Sequence, residues 1–253
     1  MSVDDSLNQN SVTMAECLPT DFVFMDTYQA GAWQQIKWDD NHNTIKGLQP
    51  VGYMLKGLNE ELDEITGPDK MEPGYSRLGA LMMIEGNGIL QAGMETPSAV
   101  TRHLKEFGDS SWYLANYLTI FGIQFSRVIE PGKVAWHLDN ISQPRQTEAD
   151  ALESEKQHPW ANLFHYAHSL TKAASGPTKI MQDGTVIRKH RDERLTDEKN
   201  LIVASGRFVL AMSHVLRARY DISYEEVLDR NHSKLEKRIA DGTVFDKSGG
   251  DDR

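Results

Sequence analysis

Apolar positions recur at intervals of three and four over most of this chain, the spacing that lines one face of a helix. The pattern predicts helices at 23–37, 50–66, 76–92, 97–121, 158–174, 200–219 and 223–239. Pro97-Ser98 and the Asp221–Ser223 segment supply start signals for two of them. Alternating patterns are scarce. Residues 180–190 carry the clearest one, with Asp183-Gly184 placed to turn a short hairpin. The expected fold is therefore all-α, a helical bundle.

Breaks in the pattern suggest how the chain is organised. Residues 67–75 hold two prolines and two glycines and read as a connection, as do the polar and acidic residues 130–157. The expected layout is a flexible arm at 1–20, a helical unit at 21–130, a second at 131–245 packed with it as one body, and a flexible tail at 246–253. A faint echo links the two units. The helix at 160–174 resembles that at 52–66, and 209–229 resembles 112–130; a degenerate second copy is one reading, and the ordinary likeness of amphipathic helices is the other.

Charge and composition narrow the function classes. The net charge is −10, from 27 basic and 37 acidic residues, which disfavours a nucleic-acid surface. The longest apolar run, 78–84, is too short to span a bilayer, so no membrane partner is expected. Cys17 is the only cysteine, which excludes an internal disulfide and a cysteine-rich zinc site. The polar start of the chain carries no secretory pattern, and a cytoplasmic location is expected.

Two acidic pairs share one spacing: Glu61/Glu64 and Glu106/Asp109. Residues i and i+3 lie on one helix face, so each pair aims two carboxylates the same way. Leu58, Leu62 and Ile65 surround the first pair, and Phe107 and Trp112 flank the second. Carboxylates set among apolar residues belong at a helix–helix contact, where four of them call for a divalent cation; oxygen ligands suit magnesium or manganese. Gly108, inside a predicted helix, points to a close approach by another backbone or a ligand. Downstream, Asn231, Lys234 and Arg238 share a helix face and could hold phosphates, although a basic stripe is more often simply solvated.

Four blocks, in order, resemble the MazG-like all-α nucleoside triphosphate pyrophosphohydrolases: TYQAGAW (27–33), GLNEELDEI (57–65), KEFGDSSWYLANYLTIFGI (105–123) and VLDRNHSKLEKRIADGTVF (227–245). The resemblance implies that Glu61, Glu64, Glu106 and Asp109 hold Mg²⁺, with Mn²⁺ as a substitute. It also implies that Glu60 positions metal or water, with Glu60 or Glu61 serving catalysis, and that Asn231, Lys234 and Arg238 face a nucleoside triphosphate substrate. Conversion to monophosphate and pyrophosphate by a homodimer is the expectation that follows. The 41 residues between Glu64 and Glu106 exceed the compact family spacing, as do the roughly 90 residues before the last block. A dUTP- or dCTP-selective diphosphatase and a non-enzymatic helical interaction module are the alternatives.

Other groups carry less. His158, His165 and His168 lack cysteine partners and read as packing or surface residues. The mixed-sign run 188–194 reads as an exposed loop, or as a lid over phosphates. Trp33, Trp38, Trp112, Tyr113 and Tyr117 read as core, with a tryptophan available to stack on a base. No phosphate-binding glycine loop ending in Gly-Lys-Ser/Thr is present.

Overall fold

The computed structural model describes residues 17–36, 50–66, 97–141 and 159–241. Within them the chain is all-α. Seven helices are α1 (Phe22–Gln34), α2 (Pro50–Thr66), α3 (Pro97–Ile120), α4 (Ile129–Ile141), α5 (Pro159–Ser175), α6 (Arg191–Val215) and α7 (Tyr224–Ala240). A small antiparallel hairpin, β1 (Thr178–Ile180) with β2 (Val186–Arg188), separates α5 from α6. Gly184 turns it with φ +83°, which fits the Asp183-Gly184 expectation. The expected helix at 76–92 lies outside the described residues, as do 1–16, the tail, Trp38 and His158.

Helix ends follow their side chains. Asp21 Oδ1 accepts from Phe24 N at 2.8 Å to open α1, and Ser223 Oγ accepts from Glu226 N at 3.1 Å to open α7. Between α6 and α7 the helix widens over Leu216–Tyr220 and ends at Asp221 in the left-handed region (φ 52°).

One apolar core runs through all seven helices, built on residues such as Met54, Leu58, Phe107, Tyr117, Trp160, Phe208 and Leu228. Its largest contacts join α2 to α3, α5 to α6 and α4 to α6; α7 and α1 cover α3. The helices named in the expected echo pack as two pairs, α2–α3 and α5–α6, with α2 lying also against α5. The stretch Arg191–Tyr220 has the length and hydropathy of a membrane span, yet 72% of its apolar window is buried in this core. Core packing accounts for that composition.

Three sequence expectations need correction. Residues 129–141 form α4, where a connection was expected, and the division expected at 130–131 cuts through it. Small residues explain why its pattern was weak. A Cβ on Gly132 would stand 2.5 Å from Gly206 Cα, so α4 and α6 meet backbone to backbone without an apolar stripe. Arg191–Arg194 opens α6 rather than forming a loop; Lys189 pairs with Asp197 at 2.9 Å, Arg194 pairs with Glu198, and Asp192 and Glu193 suit the helix N-terminus. The end of the expected arm is anchored, since Thr20 N donates to Glu225 on α7 at 2.8 Å and Cys17 is buried.

Buried polar side chains tie α1 to the far end of α3. Gln29 Nε2 donates to Ala115 O, Thr119 Oγ1 and Ile123 O at 2.9–3.1 Å, and its Oε1 accepts from Phe125 N at 2.7 Å. These bonds hold α1 against the last turns of α3 and the loop that follows it. They also fix the register at which α1 reaches α7.

Candidate functional site

Helices α2 and α3 bring Glu61, Glu64 and Glu106 together, with one carboxylate oxygen from each within 4.8 Å of the others. Among the described residues no other group of three histidines, cysteines or acids meets that condition. The close approach depends on Gly57. A Cβ there would fall 2.0 Å from the Tyr113 ring, so only glycine lets α2 settle on this part of α3.

The three acids differ in exposure. Glu106 is only 5% exposed, Glu61 is partly buried and Glu64 faces solvent. Glu106 Oε1 lies 3.4 Å from Lys105 Nζ, its Oε2 is buried, and its carboxyl shares a hydrogen bond with that of Glu61. Carboxyls buried this close to one another are costly to ionise together, and a cation ligand offsets that cost. Burial pushes Glu61 up to about 9, and the charges of Asp109, Glu106 and Glu64 add to the rise. Glu106 is raised as well, by burial first; Lys105 opposes that, and Glu64 and Asp109 reinforce it. The donor set is hard, anionic and convergent, which fits a divalent cation of the magnesium or manganese kind.

Asp109 sits beside this group with partners of its own. Its Oδ1 accepts from Asn231 Nδ2 at 2.7 Å and from the Lys234 ammonium. Asn231 Oδ1 in turn accepts from Tyr28 OH at 2.9 Å, which sets the orientation of the amide. Burial raises the Tyr28 hydroxyl well above its usual range, so it remains a donor. The chain Tyr28–Asn231–Asp109 thus links α1, α7 and α3. Gly108 makes the crossing possible, because a Cβ there would meet Asn231 Cβ at 2.9 Å. The close approach expected at Gly108 comes from the Asn231 side chain.

The remaining candidates separate. Glu60 is exposed and pairs with Lys56 at 3.4 Å, one residue round α2 from the acid group. Arg238 lies partly buried toward the end of α7, outside the groove that Asn231 and Lys234 line. His165 and His168 are exposed on α5, the first edge-on to Tyr166. Trp112 is buried and donates to Gln35 Oε1 at 3.2 Å; Trp33 is partly buried and borders an open hollow with Arg188. Gly206 and Arg207 serve α4: Gly206 meets Gly132, and Arg207 donates to Ala135 O at 3.1 Å.

Sequence reasoning missed Lys105 and Arg230. With Thr101, Leu104, Val227, Asn231 and Lys234 they line a groove of about 210 Å³ between α3 and α7. Their positions follow helical spacing on each helix, so the stripe 227/230/231/234 was available as a signal. No family model matches the chain, and no curated protein or solved structure matches it.

Proposed function

We propose that this protein is a divalent-metal-dependent pyrophosphohydrolase acting on nucleoside triphosphates, of the kind its ordered blocks resemble. One observation carries the reading: three carboxylates from two helices converge within 4.8 Å, with burial and mutual charge raising the proton affinity of Glu61 and Glu106.

Glu61, Glu64 and Glu106 would hold the ion, preferably Mg²⁺ with Mn²⁺ as a substitute. A cation bound there offsets phosphate charge and acidifies a coordinated water. The chain's own groups do the rest. Glu61 would orient an attacking water and accept its proton through an oxygen not committed to the ion. Lys234, one helix away, presents positive charge where negative charge builds on the departing pyrophosphate. Asn231 and Tyr28 position Asp109 and, through it, that lysine. Glu60 has no part in this reading, because its exposed carboxylate pairs with Lys56.

Release of pyrophosphate from a panel of canonical and modified nucleoside triphosphates, with and without Mg²⁺, tests the proposal. Turnover that needs the metal and disappears in Glu106→Gln supports it. No turnover across the panel overturns it.

A further inference from the structure

Gln35, just past the end of α1, stands between Trp112 on α3 and His232 on α7. The Trp112 indole Nε1 donates to Gln35 Oε1 at 3.2 Å, and Gln35 Nε2 lies 3.1 Å from His232 Nδ1. On its other side, His232 Nε2 lies 3.2 Å from Glu236 Oε1. Gln35 and Trp112 are buried, whereas the His232 side chain is 33% exposed. His232, Gln35 and Glu236 line an open hollow of about 600 Å³ between α1 and α7, through which water reaches the imidazole. Gly31 makes room for the ring, since a Cβ there would come within 3.1 Å of its Cε1.

These contacts place each proton. An indole N–H can only donate, so the amide must turn Oε1 to Trp112 and its NH₂ to His232. Nδ1 can then only accept. The Glu236 carboxylate needs a donor, which makes Nε2 the protonated nitrogen. Two independent neighbours therefore ask for one form, the neutral imidazole with its proton on Nε2.

We infer that His232 is the input of a proton switch and the Trp112 indole its output, with the Gln35 amide turning over between them. A proton added at Nδ1 sets two donors face to face at 3.1 Å. Turning the amide offers Oε1 to the imidazolium, and it leaves the buried indole N–H facing an NH₂ group. Trp112 then has lost its acceptor where no bulk water replaces it, a cost larger than an exposed ion pair returns. The charged and titratable neighbours leave this logic intact. Glu236, 65% exposed, keeps its Nε2 donor in both forms. Tyr28 on α1 meets the ring edge-on at 6.4 Å, and its hydroxyl is given to Asn231. Among the described residues no other ionisable side chain lines the hollow. The output lands in a sensitive place. Trp112 packs edge-on against Tyr113 at 4.9 Å, and Tyr113 is the ring on which Gly57 seats α2. A proton taken up in the hollow is thereby felt at the contact between the two acid-bearing helices, whatever reaction they serve.

Nitrogen-15 NMR of the full chain, labelled at histidine and tryptophan and kept in EDTA, tests the switch from about pH 8 down to about pH 5. The His232 signals are those that disappear in His232→Gln. At the alkaline end Nδ1 is expected as a bare nitrogen and Nε2 as the protonated one. On acidification the Trp112 indole cross-peak is expected to move along the same curve as His232. Its hydrogen exchange, corrected for pH, should quicken about tenfold, the scale of one lost hydrogen bond. In Gln35→Leu, His232 still titrates and Trp112 no longer follows it. His165→Gln, on the exposed side of α5, is the control and keeps the parent response. The parent's own curves decide even where Gln35→Leu does not fold. A proton on Nδ1 at the alkaline end, or a Trp112 signal that stays put while His232 titrates, overturns the switch. A Trp112 response that survives in His232→Gln overturns it too, because another group is then the input.

Discussion

Lys234 donates its ammonium to Asp109 Oδ1 across the contact between α7 and α3, bridging 125 positions of sequence. The pair is largely withdrawn from water, with side chains 27% and 17% exposed. A protein cation therefore stands next to a cluster of carboxylates and holds one of them. Asp109 is also the neighbour that contributes most to the rise of Glu61 after burial itself.

Asp109→Asn follows from that relationship. Loss of the ion pair is expected to destabilise the fold by about 1–3 kcal/mol, since a partly buried charge loses its partner. The same change removes a negative charge beside Glu61, whose proton affinity is expected to fall. Chemical denaturation reads the first effect. Carboxyl titration by carbon-detected NMR reads the second, and a Glu61 midpoint that stays near 9 counts against the charge coupling.

Metal binding should release protons. In the ion-free protein Glu61 titrates near 9, so at pH 7 it carries a proton that a cation must displace. Affinity for Mn²⁺ is therefore expected to rise with pH up to about 9, by close to tenfold per unit where one proton is exchanged. Calorimetry in buffers of different ionisation enthalpy counts the protons. Binding that is flat between pH 6 and 8 would show that Glu61 is not displaced.

The same shift has a consequence for stability without metal. A carboxyl raised in the folded state binds more protons folded than unfolded, so stability falls as pH rises. Glu61's favourable contribution is complete below its ordinary value of 4.5 and is lost as pH climbs to about 9. Glu61→Gln should flatten that slope and raise the melting temperature at pH 8 by a few degrees, about 1 kcal/mol or more for a chain of this size. Stabilisation by Mn²⁺ should vanish in the same variant. A site that is strained when empty and relieved by its ligand behaves in this way.

Much of this arrangement was legible in the sequence, and the reasons lie in particular residues. Glu61/Glu64 and Glu106/Asp109 announced shared helix faces by spacing, and Leu58, Leu62 and Phe107 announced the apolar contact between them. Spacing along one helix could not say which carboxylates would meet across two. Asp109 turned toward Asn231 and Lys234, because α7 crosses α3 at Gly108. Helix α4 escaped notice for a related reason. Its packing relies on Gly132 against Gly206, and its Val134 and Leu138 are each 57% exposed, so no apolar stripe marks it. Contacts made by the absence of a side chain leave little trace in a hydrophobic pattern.

Those glycine contacts make a graded prediction. A Cβ on Gly206 would sit 2.0 Å from Val128 O, a backbone atom that cannot rotate aside. Gly206→Ala is therefore expected to cost about 3 kcal/mol or to prevent folding, at the upper end of overpacking effects. On Gly108 the Cβ meets Asn231 at 2.9 Å, and a side chain can yield. Gly108→Ala should cost nearer 1 kcal/mol, part of it regained through alanine's better helix propensity. Its larger effect should be local. Displacing Asn231 withdraws the Nδ2 donor from Asp109 and breaks the link to Tyr28, which loosens the hold on Lys234. Tyr28→Phe cuts the same chain from its other end without touching α3 or α7 packing. If the chain positions Lys234, both variants should shift Mg²⁺-dependent triphosphate turnover in the same direction while their melting temperatures differ. Opposite shifts, or none, would show that Asn231 merely fills space at the crossing.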